Sequence, residues 1–255
     1  MSAHPTNQER TESFRKKFSR EKTIKYLLAN VNPIIFDVGA NAGQSLLEFK
    51  GWWPASTIHC FEPQHECWES LIDLQGEYAK GEVFVNKCAS GNILKENALF
   101  YTHDITSGQS GFNKINEKSR DSIDLRVYEG SSKDKLHEYT STLNHERNVK
   151  IVRLDSYMDE NDIQHIELLK IDTQGHEPEV LDGLGNRLCD VDVVITELMF
   201  YDYYERSLSF TEIEKYLHPA GFHLYDISHI SKNPMNGRTD WIDVIYVNER
   251  LRTRN

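Results

Sequence analysis

The chain of 255 residues has few of the residues that build disulfide scaffolds, membrane spans or polyanion-binding surfaces. Its four cysteines include no Cys-x-x-Cys pair and are too few to staple a chain of this length, so we expect reduced thiols among the small core residues. No stretch approaches the roughly 20 apolar residues of a membrane helix, and the N-terminus lacks the apolar core of a secretion signal. These absences predict a cytoplasmic protein without a membrane span.

Basic residues are also in deficit, because 29 Lys and Arg stand against 40 Asp and Glu and give a formal net charge of -11. A protein that neutralises phosphates needs a basic face, so this charge argues against a nucleic-acid partner. A neutral or cationic small molecule is easier to accommodate. The hydrophobic fraction of 38% is ordinary for a globular protein, and an α/β domain can use this much chain as one unit.

Apolar runs and helical patterns alternate along most of the chain. Several runs are continuously apolar, which is typical of strands buried on both faces of a sheet. Their alternation with helices implies right-handed crossovers and a mostly parallel, doubly wound sheet. The predicted strands are 33–38, 57–62, 83–88, 98–101, 149–154, 167–171, 191–196, 223–227 and 241–247, and the predicted helices between them are 43–50, 64–75, 177–188 and 210–218.

Three stretches depart from this alternation. Residues 1–32 are predicted to form a helical extension that precedes a single domain over 33–255. A polar loop at 230–240 carries Asn-Pro and Asn-Gly turn signals and predicts a closing antiparallel hairpin. The polar segment 104–148 is too long for a plain connection in a compact domain, so it forms either a substrate lid or a surface excursion.

The strongest local motif is the run Asp-Val-Gly-Ala-Asn-Ala-Gly at 37–43, where a buried strand enters a turn that opens a helix. Gly39 and Gly43 permit a tight turn and a close approach of the backbone to a ligand. Such a turn, at the carboxyl end of the first strand of an open sheet, is where nucleotide-like ligands bind. A strand-to-helix turn without any ligand fits the same pattern.

Glu62 narrows the ligand class, since it ends the second strand about 20 residues after the glycine turn, where an acid can accept hydrogen bonds from ribose hydroxyls. Dinucleotides and S-adenosylmethionine both satisfy that rule. The glycine turn distinguishes these two ligands and favours S-adenosylmethionine, because it lacks the middle glycine of a pyrophosphate-binding Gly-x-Gly-x-x-Gly. Asp37 would repel a pyrophosphate but is compatible with the ammonium and sulfonium of S-adenosylmethionine.

With these motifs the chain resembles the FkbM-type S-adenosylmethionine-dependent methyltransferases over about residues 34–247. The resemblance implies a class I methyltransferase Rossmann-like α/β fold, with a seven-stranded mostly parallel sheet, a C-terminal antiparallel hairpin and helices on both faces. The most specific element is the run Leu-Lys-Ile-Asp-x-x-Gly-x-Glu. The motifs that carry the resemblance are 37–43, Phe-Glu-Pro at 61–63, Cys-Ala-Ser at 88–90, the run 168–183, and His-Pro-Ala-Gly-Phe at 218–222.

The same resemblance implies S-adenosylmethionine as the cofactor, with the stretch after the third strand near the adenine. Ser107-Gly108-Gln109-Ser110 looks like the Gly/Ser-rich loop of the family, while the rest of the polar segment leaves the methyl acceptor open. The implied cofactor-binding residues are Asp37, Gly39, Ala40, Asn41, Gly43, Glu62, Pro63, Ala89 and Ser90.

Three further residues are the catalytic candidates. Asp172 follows the strand 167–171 and would be a general base or its orienter, and His176 is expected to face the cleft as the alternative base, unless it is a plain surface histidine. Glu197 ends the next strand at the same edge of the sheet. Asp172 and Glu197 together could hold a divalent metal such as Mg²⁺, or act as base and orienter without one.

The reaction that these residues would serve is methyl transfer to oxygen, and by resemblance the acceptor is a sugar hydroxyl in a glycan or a glycosylated natural product. The aromatic run 198–204 is either a wall for a sugar ring or packing beneath its loop. N-methylation of a small molecule, an NAD-binding oxidoreductase and a non-catalytic nucleotide-binding module remain as alternatives. The expected edge of the sheet carries four acids, Asp37, Glu62, Asp172 and Glu197, which would suit a cationic cofactor.

Overall fold

The structure, a computed structural model, describes residues 5–104, 106–122 and 140–252. Two helices come first. Helix α1 (Asn7–Lys17) is capped by Thr6, whose hydroxyl accepts a hydrogen bond from the Glu9 amide, and helix α2 (Arg20–Leu27) is capped by Ser19, whose hydroxyl accepts one from the Lys22 amide. The buried face of α2 packs its apolar residues on the central sheet.

That central sheet has seven strands in the order β3-β2-β1-β7-β8-β10-β9. All pairs are parallel except those of β10, which runs antiparallel to β8 and β9, and this arrangement confirms the predicted fold. The strand order reverses direction between β1 and β7, so a crevice opens at their carboxyl ends. The strands are β1 Ile34–Val38, β2 Thr57–Phe61, β3 Val83–Asn86, β4 Ala89–Ser90, β5 Lys95–Thr102, β6 His145–Val152, β7 Ile166–Ile171, β8 Val191–Met199, β9 Phe222–Lys232 and β10 Thr239–Asn248.

Helices cover both faces of the sheet. One face packs against apolar side chains of α5, α6 and α7, and the other against those of α2, α3 and α4, so the sheet separates two hydrophobic cores. Burial on both sides explains why the strands are continuously apolar in sequence. The remaining helices are α3 Gln44–Trp52, α4 His65–Gly76, α5 Leu154–Glu160, α6 Glu177–Asp182, α7 Phe210–Leu217 and α8 Glu249–Arg252.

Three predicted elements end at least two residues earlier than the apolar pattern suggests. The strand predicted over 83–88 stops at Asn86. The strand predicted over 149–154 stops at Val152, because Arg153 turns the chain by pairing with Asp155 and with the carbonyl oxygen of Asn92, and α5 follows. The helix predicted over 177–188 stops at Asp182 and is followed by a 3-10 turn, Gly185–Asp190. Strands β4, β5 and β6 form a separate three-stranded sheet beside the central one.

The polar segment 104–148 is partly built into the fold. A 3-10 turn, Ser107–Gln109, leads into two isolated β-bridges, Tyr101 with Gly111 and Ile115 with Tyr204. The end of the segment belongs to β6, which begins at His145. Residues 123–139 lie outside the described residues, so the choice between lid and surface excursion stays a prediction for that stretch.

The cysteines and the helices bear on two of the expected absences. Cys60, Cys67 and Cys88 are buried free thiols, as expected, but Cys189 is exposed at the 3-10 turn before β8, so the expectation of four core cysteines is wrong there. Within the part of the chain that the structure describes, no helix has both the length and the apolar character to cross a membrane.

Candidate functional site

The turn after β1 has the left-handed backbone that its glycines predict. Gly39 has φ +82°, Asn41 +47° and Gly43 +97°. What comes close to these glycines is the protein itself: a Cβ on Gly39 would lie 1.9 Å from the carbonyl oxygen of Asp172, and one on Gly43 would lie 2.4 Å from Leu74 Cδ1. Close packing of β1, β7 and α4 therefore explains both glycines, and Gly43 does not approach the cleft.

The amide groups of this turn already have partners inside the protein. Gly39 and Ala40 donate to the carbonyl oxygen of Phe61, and Gly43 donates to that of Ala40. The amide of Asn41 donates to Glu62 Oε2, and the next amide, at position 42, donates to the Asn41 side chain. No amide from 39 to 43 is left to bind an anion, so the turn lacks the donors of a pyrophosphate site.

Glu62 is buried at the end of β2 and holds its carboxylate in a fixed position. Its Oε2 accepts from the Asn41 amide at 2.8 Å, and its Oε1 accepts from the amide of Gln64 at 2.8 Å and from the side chain of Gln64 at 3.2 Å. Burial raises the pKa of Glu62, and these N–H donors offset part of that rise. Each oxygen keeps room for a further donor such as a hydroxyl.

A cleft with about 540 Å³ of empty space opens beside Glu62, at the carboxyl ends of β1, β2 and β7. Ser90 Oγ and Ser110 Oγ line it, are buried, and have no hydrogen-bond partner among the described residues, so each is available to a bound molecule. The predicted cofactor residues that line the cleft are Gly39, Asn41, Glu62, Pro63, Ala89 and Ser90, whereas Asp37, Ala40 and Gly43 do not.

The polar segment supplies one wall of this cleft. Ser107 Oγ donates to the Asn41 side chain at 2.9 Å, and the Ser107 carbonyl oxygen accepts from Gln64 Nε2 at 3.1 Å. Phe100 and Phe112 add an apolar surface with their rings at 87° and 5.1 Å apart. The Gly/Ser-rich loop indicated this wall in the sequence, but no signal identified Phe100 or Phe112.

Asp37 lies below the turn, where it pairs with a lysine that sequence reasoning missed. Its side chain is fully buried, and Lys170 Nζ lies 3.2 Å from Asp37 Oδ1 and donates to the Gly39 carbonyl oxygen at 2.9 Å. Burial lowers the pKa of Lys170, but the carboxylates of Asp37 and Asp172 outweigh it and hold the pKa above its usual range. Asp37 is therefore neutralised inside the protein and is not placed to face a cofactor. A lysine within an apolar strand is the signal that could have revealed this pair.

Asp172 is the acid that reaches the cleft. Its side chain is 41% exposed, Oδ2 lies 3.5 Å from Lys170 Nζ, and Oδ1 accepts from Gln174 Nε2 at 2.8 Å. On the neighbouring strand, Glu197 Oε2 lies 3.4 Å from the same Gln174 nitrogen. Burial, with Asp172 and other carboxylates nearby, raises the pKa of Glu197 well above its usual range. The predicted proximity of Asp172 and Glu197 is thus present in the structure.

His176 does not face the cleft, contrary to the sequence-based expectation. Its ring packs on Phe112 at 4.2 Å, and a Cβ on Gly91 would lie 2.9 Å from its Nε2, which is buried and has no hydrogen-bond partner within the part of the chain that the structure describes. Its Nδ1 lies 3.6 Å from Glu179 Oε2. Burial lowers the pKa of His176 to about 4. The turn after β7 carries the imidazole behind Phe112, so Asp172 is the better candidate for a base.

Glu177 closes that turn. Its Oε1 accepts from the Thr173 amide at 2.8 Å, from the Thr173 hydroxyl at 3.1 Å and from the Gly175 amide at 3.2 Å. Burial raises the pKa of Glu177 to about 7. The Glu177 side chain therefore fixes the backbone of the turn between Asp172 and α6.

Comparison with known proteins identifies the domain that carries this cleft. A family model described as the methyltransferase FkbM domain matches residues 37–224. The chain belongs to the FkbM methyltransferase family. It is 27% identical over 166 residues to "Methyltransferase 1" of Beauveria bassiana, a match that spans 64% of this chain and 64% of that protein.

A second relative and a solved structure are also similar to this FkbM-family chain. It is 25% identical over 202 residues to "2-O-methyltransferase NoeI" of Sinorhizobium fredii, a match that spans 77% of each chain. The crystal structure of methyltransferase FkbM from Methylobacillus flagellatus superposes with a TM-score of 0.52 at 13% identity, and it covers 92% of this chain and 50% of that one. The latter likeness establishes the fold. The chain spans less than two thirds of the Beauveria relative and half of the Methylobacillus one.

In this FkbM-family chain the tyrosines after β8 are packed and do not form an exposed wall. Tyr201, Tyr203 and Tyr204 are buried in a cluster with Ile115 and Leu143. The Tyr204 hydroxyl lies 2.8 Å from Gln174 Oε1 and also 2.8 Å from a carbonyl oxygen of the Ser107–Gln109 turn. The packing interpretation of this run is therefore right for these three residues, and Tyr204 links the polar segment to the Asp172 edge.

The donors around Asp172 and Glu197 do not fit a divalent ion. Among the residues that the structure describes, no group of three or more His, Cys, Asp or Glu side chains has the arrangement of a metal site. The position between the two carboxylates holds the Gln174 amide nitrogen, a hydrogen-bond donor, and the Lys170 ammonium lies beside Asp172. Mg²⁺ prefers oxygen ligands, so this donor set favours the reading of base and orienter without a metal.

Proposed function

We propose that this chain is an S-adenosylmethionine-dependent O-methyltransferase, and that its acceptor is a sugar hydroxyl in a glycan or a glycosylated natural product. The observation that carries the proposal is the composition of the cleft. Glu62 and Asp172 line it together, while every amide of the turn 39–43 is bonded within the protein. Such a cleft suits a nucleoside that carries a positive charge and no pyrophosphate.

The residues of the cleft fit S-adenosylmethionine. The Glu62 carboxylate would accept from the ribose hydroxyls, and the buried hydroxyls of Ser90 and Ser110 would bond the polar edge of the adenine. Phe100 and Phe112 offer apolar surface to the rings. The partly exposed carboxylate of Asp172 would lie on the side of the positive charge. This fit supports the cofactor assignment.

The protein would contribute positioning and one proton transfer. When bound, S-adenosylmethionine supplies a methyl group on a sulfonium sulfur, so that a carbon–oxygen bond forms as the carbon–sulfur bond breaks. Asp172 would accept the proton of the acceptor hydroxyl as its oxygen attacks. Glu197 would shape the acceptor side of the cleft, and Lys170 Nζ, 3.5 Å from Asp172 Oδ2, would place a positive charge beside the Asp172 carboxylate.

One relative supports oxygen as the acceptor atom, because the Sinorhizobium protein is described as a 2-O-methyltransferase. The carbohydrate nature of the acceptor rests on the family resemblance. N-methylation would label amines instead of saccharides, and NAD is disfavoured because every amide of the turn 39–43 is bonded within the protein.

The test is transfer of a radiolabelled methyl group from S-adenosylmethionine to a panel of mono- and oligosaccharides, with amines as comparison acceptors. We expect labelled saccharides from the wild-type protein. Asp172→Asn should still bind the cofactor, though more weakly because one negative charge beside the sulfonium is gone, and at saturating cofactor it should lose about 10²- to 10⁴-fold in transfer rate. Label on amines alone would replace the O-methylation proposal by N-methylation, and an unchanged rate for Asp172→Asn would remove Asp172 from the mechanism.

A further inference from the structure

The side-chain carboxamide of Gln174 lies between two carboxyl groups, those of Asp172 and Glu197, and the phenol hydroxyl of Tyr204. Its Nε2 lies 2.8 Å from Asp172 Oδ1 and 3.4 Å from Glu197 Oε2, and its Oε1 lies 2.8 Å from the Tyr204 hydroxyl. A primary amide has two N–H donors on nitrogen and lone pairs on oxygen, so it matches two acceptors on one side and a hydroxyl donor on the other. Neither a carboxylate nor an ammonium could satisfy all three neighbours.

The backbone at this position is fixed by its surroundings. Gln174 has φ +56°, in the left-handed region that residues other than glycine rarely adopt, and Gly175 follows with φ +94°. Asn113 Nδ2 donates to the Gln174 carbonyl oxygen at 3.3 Å, while Glu177 binds the amides of Thr173 and Gly175 on either side. A strained residue that is held from several directions at the wall of a cleft indicates a functional requirement for its side chain.

Two carboxylates at neighbouring strand ends need a partner between them. A divalent ion would require further oxygen ligands, and Gln174 presents its nitrogen to the pair. Lys170 Nζ, 3.5 Å from Asp172 Oδ2, provides the positive charge on the other side of Asp172. Side chains of this chain therefore already fill the position between the two acids and supply the positive charge that a metal ion would bring.

We infer that Gln174 is a positioning residue which occupies the place of a bridging cation between Asp172 and Glu197, and that the residue at 174 decides whether this site takes a divalent ion. The role of Gln174 in orienting Asp172 toward an acceptor rests on the proposed function. Whether the site holds the Gln174 amide or a divalent ion does not, because that depends only on the side chains at this edge of the sheet. A carboxylate at position 174 would bring three acidic side chains, those of residues 172, 174 and 197, around one position.

The experiment is a titration of the full chain with Mn²⁺, followed by electron paramagnetic resonance of the free ion. Wild-type protein should show no stoichiometric site. Gln174→Glu should gain one site per chain with an affinity about tenfold or more above that of the wild type, since added ligand charge raises the affinity for hard cations. Gln164→Glu is the matched control, because it adds the same charge at an exposed position before β7, at the opposite edge of the sheet, and should bind Mn²⁺ as the wild type does.

Two further variants make the result decisive. Asp172→Asn combined with Gln174→Glu should lose the new site, and Gln174→Asp serves as a second carboxylate if circular dichroism shows that Gln174→Glu does not fold. A stoichiometric Mn²⁺ site in the wild type that is lost in Asp172→Asn would overturn the inference, and so would folded carboxylate variants that bind no more Mn²⁺ than the Gln164→Glu control. A parallel titration with S-adenosylmethionine tests the proposed function separately, since its failure would leave the Mn²⁺ result intact.

Discussion

Asp37 and Asp172 end neighbouring parallel strands, yet they lie in opposite environments. Asp37 is fully buried beneath the glycine turn and pairs with Lys170, whereas Asp172 is 41% exposed, lines the cleft and is held by Gln174. Both acids look alike in the sequence. The buried ion pair at the end of β1 therefore stabilises the glycine turn, while the acid at the end of β7 is accessible to a bound molecule.

The largest effect should come from breaking the buried pair. Lys170→Met leaves the Asp37 carboxylate buried without its cation, and we expect a loss of about 3 to 5 kcal/mol in the free energy of unfolding. Urea denaturation measures it. Combining Lys170→Met with Asp37→Asn should recover much of the loss, because the buried charge is then gone. A loss below about 1 kcal/mol for the single variant would show that the pair does not support the turn.

A second test concerns His176, which lies behind Phe112 on the other side of the cleft wall. Burial lowers the pKa of His176 to about 4, so the unfolded chain takes up this proton first as the pH falls below about 6.5, and the stability that the neutral ring contributes is lost toward pH 4. His176→Leu should reduce the difference in unfolding free energy between about pH 7 and about pH 5 by about 2 kcal/mol. Replacing the exposed His218 in the same way is the control. An unchanged pH dependence in His176→Leu would mean that the imidazole is not buried as described.

A third test addresses the cofactor side of the cleft. Glu62→Gln keeps the shape of the side chain but weakens its role as acceptor, so the affinity for S-adenosylmethionine should fall about tenfold. Equilibrium dialysis compares it with Glu66→Gln, an exposed acid one turn further along, which should bind as the wild type does. Equal affinities for the two variants would remove Glu62 from the cofactor site.

The smallest effect is expected for the stability of Asp172→Asn. The side chain is partly exposed and its ion pair with Lys170 is long at 3.5 Å, so the unfolding free energy should change by less than about 1 kcal/mol. Chemical denaturation beside Lys170→Met gives the comparison directly. If Asp172→Asn destabilised the protein as much as Lys170→Met, the two strand ends would not differ in the way described here.

The sequence predicted the parts of the fold that depend on local pattern. The parallel sheet, the closing hairpin and the helices follow from apolar runs and turn residues, and Glu62 was predicted from its distance to the glycine turn. The pairing of Asp37 with Lys170 could not be predicted locally, because it requires knowing that β1 and β7, more than a hundred residues apart, are neighbours. The same holds for the Gln174 bridge.

Some local patterns were ambiguous or misleading. The apolar pattern predicts a strand through 154, which the Arg153–Asp155 pair interrupts. The sequence also predicts that His176 faces the cleft, because the turn that carries the imidazole behind Phe112 leaves no mark in the local pattern. The cytoplasmic location and the domain boundary after residue 32 stay predictions.

We propose that the cleft beside Glu62 and Asp172 binds S-adenosylmethionine, and calorimetric titration measures that binding. Wild-type protein titrated with S-adenosylmethionine should show one site per chain, and titration with NAD should show none, because the turn 39–43 has no free amide for a pyrophosphate. Binding of NAD without binding of S-adenosylmethionine would contradict the account.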